Sequence, residues 1–379
     1  MNSIKKHRYR KMCIFFIIIA VLLGVGIVFL KHPLFGKVAS GERLERIKQS
    51  KNYRDGEFQN LSHTPAMAEG VSYFSVIKEL LFAKVEEAYP IDSIPHVKTD
   101  LTELPTDMDG LVWFGHSSYY MQIEGVKFLV DPVFTKNASP LYGTNNAFKG
   151  ADLTLSGDMP RLDYLIITHD HYDHLDYTTF RQLKDKVSHV ICPLGVGEHL
   201  EFWGYPSEQI TELDWYETTK LKNNMSLTST PARHFSGRSF KRNQTLWTSF
   251  VLKAANLKIF VGGDSGYDTH FKMIGEKYGP FDFAILENGQ YDYKWKYIHM
   301  MPEEVLLATQ DLSAKRVLPV HSGKFKLANH PWKEPLEKVT SLNDDGPRLH
   351  IITPKIGELV DFRNENQVFE SWWKQEECK

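Results

Sequence analysis

Six consecutive residues constrain this chain more than any other stretch. His169-Asp170-His171-Tyr172-Asp173-His174 sets three imidazoles and two carboxylates side by side, one residue beyond the apolar run Leu162-Asp163-Tyr164-Leu165-Ile166-Ile167. β-Branched and aromatic residues in so short a run suit a buried strand. A strand ending there delivers the polar residues to a loop at a sheet edge, where a rigid support holds binding groups. In such a loop His169 and His171 can turn toward one metal ion while Asp173 and His174 turn toward a second. Neutral imidazole and carboxylate oxygen are ligands that zinc and similar divalent ions accept. The plain alternative is a solvated loop that is rich in His and Asp.

The pattern His-x-His-x-Asp-His resembles that of the metallo-β-lactamase superfamily, and the further ligands this resemblance implies occur in order down the chain. His234 follows Pro231-Ala232-Arg233, Asp264 follows Val261-Gly262-Gly263, and His321 follows Leu318-Pro319-Val320, each in or after a strand-like run. Any one alone would pass for a core histidine or a turn. The resemblance implies that His169, His171 and His234 hold a first ion and that Asp173, His174 and His321 hold a second. Asp264, with two carboxylate oxygens, would bridge them. Open positions would remain for a water, whose pKa two divalent charges lower toward neutrality. This donor set suits two divalent ions, zinc first, with manganese or iron also compatible.

Ahead of this region, residues 12–30 form 19 uncharged, mostly apolar residues. As a helix they span about 28 Å, close to the thickness of a bilayer core. Lys5, Lys6, Arg8, Arg10 and Lys11 precede the run, and only Lys31 and Lys37 follow it closely. The positive-inside bias puts residues 1–11 in the cytoplasm as a basic tail and the remainder outside, at the cell membrane. The competing reading is a cleaved signal peptide. An apolar stretch of this length and the imperfect small-residue site Val38-Ala39-Ser40 favour an uncleaved signal-anchor.

The 379 residues carry globular composition, and a net charge of −2 without a basic stripe gives no nucleic-acid signature. The three cysteines, Cys13, Cys192 and Cys378, make no disulfide framework. Residues 31–105 read as a juxtamembrane and lead-in segment. It holds a charged, helix-permissive stretch near 41–50 and a helix over 71–88 with Phe74, Ile77, Leu81 and Val85 on one face. Residues 106–379 read as the hydrolase domain. Strand candidates at 111–114, 119–123 and 126–130, the last two joined by a Glu124-Gly125 hairpin turn, are followed by alternating strands and helices. Two mixed sheets face to face with helices outside are expected, the four-layered αββα sandwich of the superfamily, preceded by a transmembrane helix.

Residues 50–330 resemble most closely the N-acylphosphatidylethanolamine-hydrolysing phospholipase D group. Asn52-Tyr53-Arg54-Asp55-Gly56, Trp113-Phe114-Gly115-His116, Phe128-Leu129-Val130-Asp131-Pro132, Gly263-Asp264-Ser265-Gly266-Tyr267, His299-Met300-Met301-Pro302-Glu303-Glu304 and His321-Ser322-Gly323-Lys324-Phe325 carry the likeness. It implies a phosphodiesterase that attacks a membrane phospholipid on the head-group side. A hydroxide between the ions would be the nucleophile, oriented by Asp173. His116 is a candidate to orient a ligand or contact substrate. His299 is a candidate substrate contact, and Arg238 and Lys324 are candidate phosphate partners. The alternating aromatics Tyr291, Tyr293, Trp295 and Tyr297 suit a lipid-facing rim or a buried strand face. A metal-dependent lactonase or amidase, a phosphodiesterase of soluble substrates, and a non-catalytic anchored metal-binding scaffold all remain open at this point.

Overall fold

Period-two alternation along short apolar strands builds the layers. The computed structural model describes residues 2–238 and 240–374, with the backbone alone at 2–5, 80 and 81, so Cys378 falls outside it. In it two seven-stranded sheets lie face to face. Trp113, Phe128, Ile166 and Ile191 of one sheet meet Phe250, Ile259, Ile285 and Leu318 of the other in a shared core. Their neighbours in sequence point outward. Val112, Leu129, Leu165, Val190 and Cys192 pack with Phe180 and Leu183 of helix Tyr177–Leu183 and Leu200 of helix Gly197–Phe202. Val251, Phe260, Ala284 and Val317 pack beneath helices His270–Tyr278, Pro302–Asp311 and Glu334–Asp344. The expected αββα sandwich follows, and Cys192 is a small buried hydrophobe within it.

The first sheet runs Leu359–Asp361, Gly110–Trp113, Tyr119–Ile123, Val126–Val130, Leu162–Ile166, Val187–Pro193, Ile210–Leu213. The second runs His350–Ile351, Arg316–Val320, Phe283–Glu287, Lys258–Val261, Ser249–Lys253, Ser226–Thr230, Thr218–Lys220. Glu124 and Gly125 both take positive φ, 50° and 77°, in the turn that joins the second and third strands of the chain's opening meander. This is the twist a two-residue hairpin favours. Beyond it the strands of the first sheet run parallel, as do those from Lys258–Val261 to Arg316–Val320 in the second. Their carboxyl ends therefore collect on one edge, the usual place for a site in such sheets.

Three stretches differ from expectation. The lead-in segment is part of the sandwich, since Ala39, Ile47 and Phe58 are buried against Trp215, Leu246 and Trp247. Helix α1 (Asn2–Leu30) leads to α2 (Gly41–Gln49), whose Arg43 binds Glu198, Glu201 and Glu212 at 2.6, 2.6 and 2.7 Å. Burial works against the Arg43 charge, yet these carboxylates raise its pKa above the ordinary value. Helix α3 is shorter than the 71–88 expected, covering Tyr73–Phe82, and its face is rotated. Val76 is the buried residue, whereas Phe74 and Ile77 lie exposed and Val85 falls beyond the helix end. Lastly, the C-terminal stretch supplies the edge strand Leu359–Asp361, paired with Gly110–Trp113, and packs Trp372 at 6.3 Å from Trp113.

Candidate metal centre

The run Leu162–Ile166 ends against Ile191 and Asp131, and the chain turns there into the His-Asp loop. His169, His171, His234 and Asp264 bring one ligand atom each to within 4.8 Å of one another, and His116, Asp173, His174 and His321 do the same beside them. His169 Nε2 and His234 Nε2 lie 2.9 and 3.2 Å from His171 Nδ1. The Asp264 carboxylate stands between the groups. Its Oδ2 is 3.8 Å from His169 Nε2 and 3.7 Å from His234 Nε2, while its Oδ1 is 3.2 Å from His174 Nε2 and 3.1 Å from His321 Nδ1. His171 Nε2, His174 Nε2 and Asp264 Oδ1 are buried without a hydrogen-bond partner. Buried polar atoms in that state are rare in proteins, and a pair such as His174 Nε2 and Asp264 Oδ1, 3.2 Å apart, is what a cation resolves.

The surroundings tune these groups for ligation. Burial, reinforced by the neighbouring imidazoles, holds His169, His234 and His321 well below the usual histidine range. Burial likewise pushes His171 down to about 4. Neutral imidazole, the ligating form, is therefore favoured at pH 7. His174 is the exception: burial opposes its charge, but Asp264, Asp173 and Asp131 raise it well above the usual value. A divalent ion supplies positive charge at that place. Burial lifts Asp264 to about 6.

Several of these donors have a holder behind them, which fixes tautomer and orientation. His174 Nδ1 meets Asp131 Oδ2 at 2.8 Å, and Asp131 Oδ1 also accepts from the Thr168 amide at 2.8 Å. His234 Nδ1 donates to the Ile298 carbonyl at 2.8 Å, and Ser117 Oγ is 2.9 Å from His321 Nδ1. His116 is fully enclosed, its Nε2 2.8 Å from Asp173 Oδ2. Burial takes it down to about 4. Of the two roles expected for His116, this contact fits that of orienting Asp173. His299 lies with its ring 5.1 Å from that of His234 and 5.2 Å from that of His321, and its Nδ1 is 2.6 Å from Glu287 Oε2.

Both expected phosphate-binding cations have other partners. Arg238 is buried and donates to the carbonyls of Asp170 and Leu175, each at 2.7 Å, and to that of Leu34 at 2.7 Å. Lys324, also buried, donates to the Val133 carbonyl at 2.8 Å. Burial lowers the pKa of Lys324 to about 8. Their charge serves backbone carbonyls, and Arg238 also lines the cavity that holds His171 and Asp173. The aromatic series 291–297 is no strand either. It turns through the short helix Tyr293–Trp295, burying Tyr291 and Trp295 and exposing Tyr293. Asp131 and Ser117 are residues beside the site to which sequence reasoning gave no role, and Glu287, whose carboxylate falls beside the site in sequence, proves to be the partner of His299. Asp131 and Glu287 each stand at the carboxyl end of a strand on the same edge, the one signal available for them.

A family model described as the β-lactamase superfamily domain matches residues 127–322, just over half of the chain. The chain belongs to the metallo-β-lactamase superfamily. Within that superfamily it is similar to an uncharacterized protein of Mycobacterium tuberculosis, 35% identical over 331 residues that cover 86% of this chain and 88% of the relative. It is also similar to N-acyl-phosphatidylethanolamine-hydrolyzing phospholipase D 1 of Caenorhabditis elegans, 31% identical over 264 residues, covering 65% of this chain and 74% of that one. A possible metal-dependent hydrolase from Veillonella parvula shares the metallo-β-lactamase fold, with a TM-score of 0.53 over 67% of this chain and 99% of that one at 15% identity. The protein is accordingly a metal-dependent hydrolase with candidate metal-binding groups of donors.

Proposed function

We propose that this hydrolase is a membrane-anchored phosphodiesterase of phospholipase D type that holds two divalent ions and cleaves N-acylphosphatidylethanolamine or a related phospholipid. The observation that carries the reading is the Asp264 carboxylate, which turns one oxygen toward each of two adjoining donor groups. His169, His171 and His234 would hold one ion and Asp173, His174 and His321 the other. Such a pair, when bound, makes hydroxide available near neutral pH and takes up charge on phosphoryl oxygens. The remaining work belongs to the chain. Asp173, kept in place by His116, orients the attacking water. His299, steadied by Glu287 and lying against both His234 and His321, contacts the phosphoryl group. The likeness to the worm phospholipase supports the lipid substrate, and an N-terminal helix long and apolar enough to cross a membrane supports anchoring with the catalytic domain outside.

The test uses the full chain in detergent micelles, loaded with zinc and given N-acylphosphatidylethanolamine or plain phosphatidylethanolamine, with phosphatidic acid followed by mass spectrometry. Phosphatidic acid that vanishes with a chelator supports the reading. Metal-loaded protein that yields none leaves a hydrolase of soluble phosphodiesters or lactones.

A further inference from the structure

The end of α1 forms one wall of the cavity that leads to the metal centre. Leu30, the last residue of the helix, lines a cavity of about 420 Å³ together with Phe35, Phe240 and the candidate ligands His171 and Asp173. The chain has no slack there. Trp203 Nε1 donates to the Pro33 carbonyl at 2.8 Å, Arg238 Nη2 to the Leu34 carbonyl at 2.7 Å, and the Lys37 amide to His199 Nδ1 at 2.9 Å. Gly36 takes φ 71°, and a Cβ there would sit 2.1 Å from His199 Nδ1, so glycine is required for this close seat. His199 Nε2 lies 3.3 Å from Asp170 of the ligand loop, and Arg238 holds the carbonyls of that same loop. From Leu30 to Pro33 the chain can reach no farther than about 10 Å. Whatever plane α1 crosses therefore lies close to the mouth of the metal centre.

Exposed aromatic side chains stand among the polar residues around this mouth. Phe240 in the cavity wall is 90% exposed, and Tyr142 is 100% exposed beside a second cavity that it shares with His32 and Leu34 of the anchor's foot. On the other side, α3 rests through Val76 on the cluster of Trp295 and Ile298 that also packs Phe235, another residue of the mouth. Its outer face presents Phe74 and Phe82 at 78% and 75% exposure, with Tyr73 and Ile77 beside them. Lys31 and Arg242 add exposed basic groups at the same level. Aromatic rings with nearby Lys and Arg are what the headgroup layer of a bilayer accommodates. Exposed apolar side chains at such a mouth signal a partner, and the apolar helix that ends beside Phe35 and Phe240 identifies it as lipid.

We propose that the mouth of the metal centre is pressed onto the bilayer that α1 spans, with Phe240, Tyr142 and the outer face of α3 immersed in the leaflet where α1 emerges. Substrate then passes from lipid into the centre without crossing bulk water, and the anchor orients the enzyme as well as tethering it. This deepens the lipid-hydrolase reading and rests on α1 acting as its membrane anchor.

The test places single cysteines in a full-length background with Cys13, Cys192 and Cys378 replaced, each carrying an environment-sensitive nitrobenzoxadiazole probe in phosphatidylcholine–phosphatidylethanolamine vesicles. Positions 74, 142 and 240 are compared with position 21 in the anchor. Position 256 serves as the distant control, on the turn beside Ala255, whose amide reaches Glu124 in the hairpin turn. The expected result is a severalfold rise in emission with a blue shift at 74, 142 and 240, quenched by lipids that carry nitroxide near the headgroup, and neither effect at 256. Rim probes that emit as in water overturn the proposal whatever position 21 reports. A probe at position 21 that emits as in water would separately remove the anchor, and phosphatidic acid release in micelles reports on the lipid-hydrolase reading independently.

Discussion

At the scale of single residues, Asp264 and His116 separate the work of holding metal from the work of aiming it. Asp264 faces histidines of both donor groups, so Asp264→Asn removes a charge and an oxygen donor from each. Elemental analysis should find the purified variant with fewer than two ions per chain, and hydrolysis should be abolished. Two tightly held ions would show that the bridging assignment is wrong. His116 touches Asp173 and is not needed to complete either set of ligands in the proposed centre. His116→Ala should keep metal content near normal and lower kcat by roughly 10- to 100-fold, the usual effect of losing a group that orients a ligand. These two histidine–carboxylate roles look alike in sequence. Both residues are buried, and what sets His116 apart is its contact with Asp173.

At the scale of elements, the ligand loop after Leu162–Ile166 and the foot of α1 are held as one unit by Arg238. Its guanidinium serves carbonyls of Asp170, Leu175 and Leu34, three acceptors in a planar fork that a lysine cannot match. Arg238→Lys should therefore destabilise the folded protein by on the order of 3 kcal/mol, because buried carbonyls lose their partner. Thermal unfolding of the metal-loaded protein checks this. If Arg238 were instead a phosphate ligand, the variant would keep its Tm and raise KM. The shortening of α3 belongs to this scale too. A period of three or four in Phe74, Ile77, Leu81 and Val85 announced an amphipathic helix. Periodicity reports that an apolar face exists but not what covers it, and here Val76 takes the protein side while Phe74 and Ile77 face out.

At the scale of the whole molecule, the C-terminal stretch braces the metal centre from behind. Trp372 is buried beside Trp113, and a Cβ at Gly323, two residues past His321, would meet both indoles. Trp372→Ala should cost about 3–5 kcal/mol through the cavity it leaves. It should also weaken the ion held by His321, as read by chelator competition. An unchanged Tm would show that this stretch only covers the core.

The sequence by itself determined the two sheets, the edge on which the donor residues gather, and the family to which they belong. Strand alternation and short donor-rich loops are local signals, written in adjacent residues such as those from His169 to His174. Only the tertiary structure decided the packing of Arg238, Lys324 and His116, that of residues 31–105 and 359–373, and the meeting of the foot of α1 with the site's mouth. Each of these depends on partners far away in sequence, as Arg238 does on Leu34 and Trp113 on Trp372. A charge or an aromatic ring has the same appearance in a sequence whether its neighbour in space is a carbonyl, a phosphate or a lipid, and folding alone brings that neighbour within reach.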